Sequence, residues 1–587
     1  MIVLRDASRA AWLYFENPLE IVSISALDEV VPALRRIEQL VDANGWYAAG
    51  FLSYEAAPAF DPAFATHTPQ DVPLLWFGLY PSPRTSPTLL PTEGGFPKND
   101  GDFPRSDGDF ALEAWTPSVT RPAYNAAIDR IKGHIARGET YQVNYTYRLQ
   151  TRFTGNPWSL FTTMLSTQPV DYPAFVDTGR HVICCASPEL FFTLDGEKVT
   201  CRPMKGTAQR GRTLAEDRAQ AETLQASPKE RAENVMIVDM LRNDLGRLAR
   251  TGSVQVPALF QAEHYRTLWQ MTSTVTAQVS APFTDLMAAL FPCASITGAP
   301  KISTMGIIAA LESVPRGVYT GAIGFLAPGR RAQFNVAIRS AVIDRQTGLA
   351  EYGVGSGVVW DSTAADEYAE SLLKAQALTA PLTEFSLLET FRWTQPEGWF
   401  LREEHLSRLR DSAEYFGIPF DRPMIEARLA ALEKTFDGSR RVRLLLNPAG
   451  TLKDEVFELP PKNDAPLRVR LAASAINDRD LFLFHKTTRR AVYEQARTAR
   501  PDCDDVLLYN QHGELTEFTI GNLVVEMDGL LYTPPVTCGL LPGTLRARLL
   551  AQSIVAERIL RREDLARCTK LFLVNSVRGW QPVELHD

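Results

Sequence analysis

The sequence contains few cysteines, and their arrangement excludes two common kinds of scaffold. The chain has seven cysteines, and none of them belongs to a CxxC pair. Cys184 and Cys185 are adjacent and lie in an apolar run that is typical of a strand. This pattern predicts neither a disulfide framework nor a zinc site, and it fits a reducing compartment.

Long hydrophobic runs are also missing. Met1 is followed by Ile-Val-Leu-Arg-Asp rather than by a basic segment and a long apolar one. No stretch approaches the roughly 20 apolar residues that a membrane span requires. We therefore expect a cytoplasmic protein without a membrane segment.

An excess of positive charge is absent as well. The 61 basic and 69 acidic residues give a formal net charge of -8, whereas general nucleic-acid binders carry basic patches and a basic balance. We therefore expect no nucleic-acid partner. Local basic pockets for small acids remain compatible with this balance.

The remaining composition is that of a globular protein with more than one domain. Of the 587 residues, 45% are hydrophobic and 22% are charged, which excludes disordered, collagen-like and coiled-coil chains. Long strand-like segments, such as those around 256–278 and 350–359, alternate with helical ones around 215–250 and 302–313. Because short glycine-containing turns join many strands, the pattern predicts an α+β fold of large antiparallel sheets that carry helices.

A proline marks the predicted domain boundary. The helical run 364–378 ends shortly before Pro381, and a new strand pattern follows. We therefore divide the chain into a first domain, 1–379, and a second domain, 380–587. Within the first domain, a segment rich in proline, glycine and aspartate, 81–109, predicts a long surface loop.

Two pairs of glutamates occur at a spacing that places both members on one helix face. Glu230 and Glu233 form the first pair, and Glu367 and Glu370 form the second, with Lys374 one turn further on. Exposed charges are the norm on helices, so either pair alone usually marks a solvated face. Neighbouring carboxylates also repel each other, and a Mg²⁺ ion shared with substrate oxygens would relieve that repulsion.

Two turns of the first domain add further candidate groups. The segment 202–207 carries Lys205 at its tip, although a turn lysine is normally just solvated. In the segment 295–301, glycine and small residues let the backbone approach a ligand, and bare N–H groups there can meet an anion. Each turn alone is a weak signal.

Together these features resemble the chorismate-utilising enzymes. This family includes the anthranilate, aminodeoxychorismate, isochorismate and salicylate synthases. The resemblance covers roughly residues 1–378 and depends on the order and spacing of the elements above and of four further motifs: 138–144, 187–191, 239–247 and 355–357. It implies the family's large α+β fold.

The resemblance also implies roles for single residues. Glu233 and Glu370 would bind Mg²⁺ against the ring carboxylate of the substrate, with Glu230 and Glu367 in support. The planar guanidinium of Arg339 matches a carboxylate. The enolpyruvyl carboxylate and the rest of the substrate would be held by Arg339 with four other residues: Thr297, Tyr319, Gly355 and Lys374.

Two positions indicate which reaction a member of this family performs. Relatives that add water to the ring carry a lysine base where this chain has Gln142, and an uncharged amide cannot act as that base. Anthranilate synthases carry alanine where this chain has Lys205, whereas aminodeoxychorismate synthases carry a lysine that attacks the ring before ammonia enters. The resemblance therefore implies amination of chorismate. The pair Cys293-Ala294 departs from the glycine-containing pair that is usual in the family.

The source of the ammonia is not encoded in this sequence. The chain has no Gly-x-Cys-x-Gly motif, which a glutaminase of the nucleophile-elbow kind would need. We therefore expect a glutamine amidotransferase subunit as a partner, or free ammonia from solution.

Three groups in the second domain suit pyridoxal 5'-phosphate. Such a site needs a lysine for the cofactor, an acid beside its ring nitrogen and an anion site for its phosphate. Lys486 follows the apolar run 481–484, Glu517 lies in the segment 514–522, and Gly543 precedes a helix start that could take phosphate. A lysine in such a context is usually on the surface, so the order of the groups carries the argument.

The second domain resembles the fold-type IV aminotransferases and aminodeoxychorismate lyase. The resemblance covers 384–587 and includes the motifs 405–409, 541–546 and 575–579. It makes Lys486 the lysine that bonds the cofactor and Glu517 the partner of the ring nitrogen, and it implies three phosphate contacts: Arg408, Thr519 and Thr544. It is also compatible with a homodimer through this domain, which is shorter than its relatives and lacks their Gly-Asp-Gly lead-in.

The two resemblances together predict a bifunctional enzyme of folate biosynthesis. Chorismate and ammonia would give 4-amino-4-deoxychorismate, from which the second domain would eliminate pyruvate to leave 4-aminobenzoate. One alternative is an anthranilate or aminodeoxychorismate synthase fused to an amino-acid transaminase. Another is a second domain that binds no cofactor and docks the glutaminase.

Overall fold

The computed structural model describes residues 1–89, 110–379, 385–459, 461 and 465–586. Most of the predicted loop 81–109 and the predicted boundary at Pro381 lie outside these residues. The chain divides into two compact units. The first consists of Met1–Arg210 and Gln220–Leu382, and the second of Gly211–Ala219 and Thr383–Asp587.

Helices α1 to α8 and strands β1 to β21 lie before residue 383, where the longer stretch of the second unit begins. The helices are α1 Leu27–Asn44, α2 Arg121–Ala136, α3 Pro157–Thr167, α4 Leu214–Ala226, α5 Pro228–Gly246, α6 Phe283–Leu290, α7 Lys301–Leu311 and α8 Ala364–Thr379. The strands are β1 Ile2–Asp6, β2 Ala11–Phe15, β3 Glu20–Ile24, β4 Tyr47–Leu52, β5 Leu75–Tyr80, β6 Arg84–Ser86, β7 Phe110–Leu112, β8 Thr116–Pro117, β9 Gln142–Gly155, β10 Tyr172–Asp177, β11 His181–Ser187, β12 Leu190–Asp195, β13 Lys198–Arg202, β14 Met204–Gln209, β15 Gln255–His264, β16 Leu268–Gln278, β17 Gly298–Ala299, β18 Ala322–Ala327, β19 Arg331–Val336, β20 Ser340–Asp344 and β21 Leu349–Val358.

The described strands of the first unit form two large sheets. The eleven-stranded sheet has the order β17-β9-β21-β20-β11-β10-β1-β2-β6, with β7 and β8 also paired to β9. The ten-stranded sheet has the order β14-β16-β13-β12-β19-β18-β4-β5-β3, with β15 paired to β16. Every pair among these strands is antiparallel. The predicted α+β class with large antiparallel sheets is confirmed.

Side chains alternate between the two faces of each strand. One face of each sheet therefore packs against the other sheet, and the opposite face packs against helices. In β1, Ile2 and Leu4 belong to an apolar cluster that includes Phe51 and Phe325 of the second sheet. Val3 points to the opposite face, toward a cluster that holds side chains of α2 and α3. The outer face of the second sheet packs against α1, α5 and α6 in the same way. The first unit is therefore a four-layered core.

Two of the predicted elements are each divided in the structure. The helix around 215–250 breaks between α4 and α5, because Ser227 caps α5 and Pro228, next along the chain, has no N–H to continue α4. The strand around 256–278 is the hairpin of β15 and β16, closed where Tyr265 N–H donates to the Leu268 carbonyl at 2.8 Å. In both places the pattern of apolar residues continues across the break, so the sequence pattern does not reveal it.

The C-terminal stretch forms two sheets of its own. Its helices are α9 Arg402–Phe416, α10 Arg422–Glu433, α11 Ala491–Thr498 and α12 Thr544–Ala551, and its strands are β22 Leu387–Thr394, β23 Gly398–Phe400, β24 Arg440–Leu446, β25 Leu452–Glu458, β26 Leu467–Leu471, β27 Asp505–Tyr509, β28 Leu515–Phe518, β29 Asn522–Met527, β30 Leu530–Thr533, β31 Ala556–Glu557, β32 Lys570–Asn575 and β33 Gly579–His586. One sheet has the order β23-β22-β24-β25, and the other has the order β28-β27-β26-β33-β32-β29-β30-β31. None of the helices in the described ranges is long and apolar enough to cross a membrane.

Candidate active sites

The first pair of glutamates lies at the start of α5. The Ser227 hydroxyl accepts from the Glu230 N–H at 3.4 Å, and this cap fixes the first turn of the helix. Glu230 and Glu233 then face the same side of α5. Glu233 is buried, and its Oε2 accepts from Nε2 of Gln142 at 3.0 Å. Burial raises the pKa of Glu233 to about 7.

The second pair lies on α8, which packs against β21. Oε1 of Glu370 is 2.7 Å from Nζ of Lys374, and the same ammonium donates to the Gly355 carbonyl at 3.1 Å. The Ser362 hydroxyl donates to Oε1 of Glu367 at 2.6 Å, and Oε2 of Glu367 is buried without a hydrogen-bond partner among the described residues. Burial raises the pKa of Glu367, whereas the Lys374 ammonium lowers the pKa of Glu370 against the effect of burial.

Lys205 lies on the edge strand β14 and is buried. Burial lowers the pKa of its ammonium, against the opposing effect of Glu233. Gly357 leaves room for this side chain, since a Cβ at that position would lie 3.0 Å from Nζ of Lys205 and 2.4 Å from Nε2 of Gln142. A lowered pKa increases the fraction of neutral amine, which is the nucleophilic form.

Arg339 provides a guanidinium nitrogen that is free to donate. It is 6% exposed, its φ of 51° is unusual for a residue with a side chain, and its Nη1 is buried without a hydrogen-bond partner among the described residues. Tyr319 lies close to Gly353, where a Cβ would come within 2.3 Å of the tyrosine ring. A buried guanidinium with a free donor is suited to a carboxylate.

These groups share one pocket of about 880 Å³. All of the predicted site residues of the first domain line it except Thr297, and those that do are Lys205, Glu230, Glu233, Tyr319, Arg339, Gly355, Glu367, Glu370 and Lys374. Thr297 is fully buried, and its hydroxyl donates to the carbonyls of Cys293 and Ala294 at 3.1 and 3.2 Å. Its neighbours Ser295 and Ile296 line the pocket instead.

Glu189 also lines the pocket, although the sequence alone predicts no role for it. It is 2% exposed, and it accepts from the Ser295 hydroxyl at 2.6 Å and from the Met204 N–H at 3.4 Å. Burial raises its pKa to about 7, so the protonated carboxyl is well populated at neutral pH. The sequence does show a glutamate between two apolar strand segments. Because glutamate is rarely buried without a function or a partner, this position could have indicated a site residue.

The carboxylates of the first pocket fit Mg²⁺. Two helices bring four glutamates to one pocket, and their oxygens are the ligand type that Mg²⁺ prefers. Among the described residues, no three histidine, cysteine, aspartate or glutamate side chains form a ready-made metal cage. The arrangement therefore suits an ion that keeps water and substrate oxygens as ligands, held by Glu233 and Glu370.

A second pocket, of about 1210 Å³, contains the predicted lysine and acid of the second domain. Burial lowers the pKa of Lys486 to about 8. Glu517 accepts three hydrogen bonds, from the Tyr493 hydroxyl at 2.8 Å, the Leu541 N–H at 3.0 Å and the Asn522 amide at 3.1 Å. Burial nevertheless raises the pKa of Glu517 to about 7. An oriented acid and a lysine with an accessible neutral form fit pyridoxal 5'-phosphate.

The three predicted phosphate contacts also line this pocket. Arg408 donates to both oxygens of Glu389 at 2.8 and 2.7 Å, which fixes its fork and leaves hydrogens free on its terminal nitrogens. Thr544 begins α12, whose first N–H groups have no side-chain cap. Thr519 differs, because its hydroxyl and its N–H both donate to Asp505. Arg408 and the start of α12 therefore offer the free donors that an anion site needs.

The chain matches two known families. Residues 5–380 match the family described as chorismate binding enzyme, which covers more than half of the chain. The chain belongs to this family. Residues 386–585 match the amino-transferase class IV family, and the two resemblances seen in the sequence are thus confirmed.

Several relatives of this family are similar to the first unit. The aminodeoxychorismate synthase component 1 of Bacillus subtilis (strain 168) is 40% identical over 273 residues, 46% of this chain and 57% of the relative. The aminodeoxychorismate synthase of Streptomyces griseus is 42% identical over 262 residues, 44% of this chain and 36% of the relative. Anthranilate synthase component I from Streptococcus pneumoniae TIGR4 has a similar structure, with a TM-score of 0.52, 25% identity and coverage of 63% of this chain and 92% of that one. The chain thus matches between about a third and three fifths of the length of the two curated relatives.

In this chorismate binding enzyme, the first pocket combines four chemical functions. It offers carboxylates for a divalent cation, a guanidinium for a carboxylate, the amine of Lys205 and the protonated carboxyl of Glu189. Burial lowers the pKa of the Lys205 ammonium and raises the pKa of the Glu189 carboxyl to about 7, so it favours the nucleophilic form of the one and the proton-donating form of the other.

Proposed function

We propose that the first unit converts chorismate and ammonia into 4-amino-4-deoxychorismate and water. The observation that carries this proposal is the buried amine of Lys205 in the pocket of the four glutamates. Relatives named as aminodeoxychorismate synthases support it. An anthranilate synthase, the main alternative, would need no nucleophile at this position.

Each group of the first pocket has a place in this reaction. Arg339 and Tyr319 would bind the enolpyruvyl carboxylate, and Glu233 and Glu370 would hold Mg²⁺. The bound Mg²⁺ would neutralise the ring carboxylate and orient the ring. Lys205 would then attack the ring.

The amination would consist of two successive substitutions on the ring. The neutral amine of Lys205 bonds to a ring carbon as the hydroxyl on carbon 4 leaves as water, taking the proton that Glu189 carries. Ammonia then bonds to carbon 4, the bond between the ring and the lysine amine breaks with its electron pair returning to the amine, and one proton of the new ammonium group on carbon 4 returns to Glu189. Without Lys205 the ammonia would have to displace the hydroxyl directly.

For the second unit, we propose elimination of pyruvate from 4-amino-4-deoxychorismate to give 4-aminobenzoate. When bound, pyridoxal 5'-phosphate would withdraw electron density from the amine-bearing carbon. Lys486 would hold the cofactor and then move a proton at that carbon, Glu517 would stabilise a protonated ring nitrogen, and Arg408 with the start of α12 would bind the phosphate. Formation of the aromatic ring drives the loss of pyruvate.

A glutamine amidotransferase subunit would supply the ammonia. All seven cysteines of this chain have a raised pKa because of burial. A glutaminase nucleophile needs a reactive thiolate, and these cysteines are unsuited to that role. The nitrogen donor must therefore come from outside this chain.

The experiment that tests the function is product analysis. Purified protein is given chorismate, Mg²⁺, ammonium and pyridoxal 5'-phosphate, and the aromatic products are separated and identified. We expect 4-aminobenzoate and pyruvate in equal amounts, and 4-amino-4-deoxychorismate alone when the cofactor is omitted. Anthranilate as the product would contradict the proposal for the first unit.

A further inference from the structure

The second unit includes a short segment that lies far from the rest of that unit in the sequence. Gly211–Ala219 belongs to the second unit, although it lies within residues 5–380, which match the chorismate binding family. A family match describes the sequence, whereas membership of a compact unit follows from contacts in the fold. The contacts of this segment therefore concern the second pocket and its chemistry.

The first seven residues of the segment are held in place by their own hydrogen bonds. The Gly211 N–H donates to Oδ1 of Asp217 at 2.9 Å. Arg212 donates to both carboxylate oxygens of Glu216, at 2.9 and 3.1 Å. A Cβ on Gly211 would lie 2.2 Å from the backbone nitrogen of Asp217, so a larger residue would force the segment open. We call Gly211–Asp217 the inserted segment.

Two carbonyls of the inserted segment meet side chains of the C-terminal stretch. The Tyr415 hydroxyl donates to the Gly211 carbonyl at 2.8 Å. Nε2 of His485 lies 3.1 Å from the Arg212 carbonyl oxygen, and this nitrogen carries a hydrogen because a carbonyl can only accept. Nδ1 of His485 lies 2.9 Å from the Ser412 hydroxyl. Both ring nitrogens of this buried histidine are therefore engaged inside the protein.

Ring contacts hold the same part of the chain. The imidazole of His485 packs against the ring of Tyr415, with 4.5 Å between the ring centroids. The guanidinium of Arg212 lies over the ring of Phe484, 5.0 Å from its centroid. The inserted segment thus contacts both of the residues that immediately precede Lys486.

Strand β22 fixes the backbone at Lys486 and beyond it. The Lys486 carbonyl accepts from the Leu388 N–H at 2.9 Å, and Thr487 forms a bridge with Leu387. Among the described residues, Lys486 lines the second pocket and His485 does not. The lysine is therefore held between β22 and the inserted segment, with its own side chain in the pocket and that of the preceding histidine on the segment.

We propose that the inserted segment positions Lys486 for the lyase reaction by holding His485. The inference rests on the proposed lyase function and deepens it. Lys486 would hold the cofactor and then move a proton at the amine-bearing carbon, and both tasks need its amine at a defined place. Misplacement of a reacting group by about 1 Å can cost about a hundredfold in rate. His485 is a positioning residue, because it acts through the lysine.

The first test compares two replacements of His485 in the full chain, with bound pyridoxal 5'-phosphate and 4-amino-4-deoxychorismate made by a separate synthase. His485→Leu removes the N–H and should lower kcat for 4-aminobenzoate release at least about tenfold, with little change in KM. His485→Gln keeps an N–H that can donate to the Arg212 carbonyl, so it should recover most of the rate. His512→Leu is the matched control, because that side chain is 67% exposed.

A change in the inserted segment itself should have the same effect. In Gly211→Ala the added methyl would collide with the backbone of Asp217, so the Arg212 carbonyl must move from His485 and kcat should fall. Gly438→Ala is the control, because its methyl would meet only the end of a flexible side chain, at 3.5 Å. Combining Gly211→Ala with His485→Leu should cost little more than either change alone, because both break the same contact.

Uptake of pyridoxal 5'-phosphate by the cofactor-free protein provides a readout that is independent of turnover. Uptake needs the neutral amine of Lys486, and burial lowers the pKa of this lysine to about 8. In His485→Leu the lysine should lose part of its burial, so the midpoint of uptake against pH should move upward. Four charged groups that also face the lysine are unaltered in this variant: Arg408, Glu389, Arg490 and Glu517.

The outcomes separate this inference from the function on which it rests. An unmoved uptake midpoint in His485→Leu would overturn the inference whatever the rate, and so would losses that add fully in the double variant. If His485→Leu fails to fold, His485→Gln and Gly211→Ala are judged by the same uptake measurement. A wild-type protein that takes up the cofactor but releases no 4-aminobenzoate would contradict the lyase assignment, while the uptake midpoints would still decide the role of the inserted segment.

Discussion

At the scale of single residues, burial acts in opposite directions on the two reactive groups of the first pocket. It lowers the pKa of the Lys205 ammonium and raises the pKa of the Glu189 carboxyl to about 7. Desolvation disfavours whichever form is charged, so one physical cause prepares both an amine nucleophile and a proton donor. The sequence identifies the lysine through the resemblance to the chorismate-utilising enzymes, although Lys205 lies on strand β14, Met204–Gln209, and not at the tip of the expected turn. The environment that changes its pKa is a property of the fold.

Replacing Lys205 by alanine should strongly suppress formation of 4-amino-4-deoxychorismate. The nucleophile is then missing, and loss of a covalent route commonly costs several orders of magnitude in rate. Product formation is followed by liquid chromatography with saturating ammonium. Lys198→Ala, which removes an exposed lysine from β13, the strand before β14 in the chain, is the control and should keep wild-type activity. Unchanged rate and product in Lys205→Ala would refute covalent catalysis by this residue.

Glu189 should give the amination a characteristic pH dependence. At constant free ammonia, the wild-type rate should fall as pH rises through about 7, because Glu189 then loses the proton that it donates. Glu189→Gln should be slow at every pH and should lack this fall. A variant with wild-type rate and profile would remove Glu189 from the mechanism.

The same group should affect stability with a defined sign. The folded pKa of about 7 lies above the ordinary value of 4.5, so the contribution is fully present below pH 4.5 and is lost as pH rises through about 7. A shift of this size corresponds to about 3 kcal/mol in the free energy of unfolding. Urea titrations at pH 5 and pH 8 should show this loss in the wild type relative to Glu189→Gln, since an amide does not titrate. Equal pH dependence in the two proteins would contradict the assignment.

At the scale of helices and strands, the sequence predicts correctly the features that depend on residues close together in the chain. The spacing of Glu230 and Glu233 and the cap at Ser227 place both carboxylates correctly on α5 because helix geometry depends on neighbours in sequence. The split at Ser227 was missed since the apolar pattern runs through it. Thr297 and Glu189 depend on contacts between distant segments, which explains why Thr297 was expected in the pocket and Glu189 was not.

A glycine of β21 offers a test of how strands set the position of Lys205. In Gly357→Ala the added methyl would lie 2.4 Å from Nε2 of Gln142 and 3.0 Å from Nζ of Lys205, so both side chains must shift. We expect at least a tenfold loss of amination, since small misplacements of reacting groups cost about that much or more. Gly306→Ala in α7 meets no atom within 4 Å and serves as the control. An unimpaired Gly357→Ala enzyme would show that Lys205 tolerates displacement.

At the scale of the whole molecule, two sets of chemistry occupy two compact units. The described residues that line the first pocket all belong to the first unit, and those that line the second pocket all belong to the second unit. The predicted division at residues 379 and 380 follows from the proline signal, whereas the membership of Gly211–Ala219 in the second unit depends on tertiary contacts that no local pattern encodes. Separate pockets imply that the two reactions can be inactivated one at a time.

Lys486→Ala tests that independence. The variant lacks the amine proposed to hold pyridoxal 5'-phosphate, so it should lose the absorption of the bound cofactor and release no 4-aminobenzoate. Chorismate consumption should continue, because every residue proposed for the amination lies in the first unit. 4-Amino-4-deoxychorismate should therefore accumulate, and both compounds are measured in the same sample.

Two controls make the result of this variant decisive. Addition of a separate lyase should convert the accumulated compound into 4-aminobenzoate, which shows that the first reaction gave the correct product. Lys453→Ala removes a largely exposed lysine of β25 and should leave both activities intact. Undiminished 4-aminobenzoate release by Lys486→Ala alone would eliminate the lyase assignment. Loss of both activities would instead mean that the two units depend on each other for folding, because no residue of the first pocket has been changed.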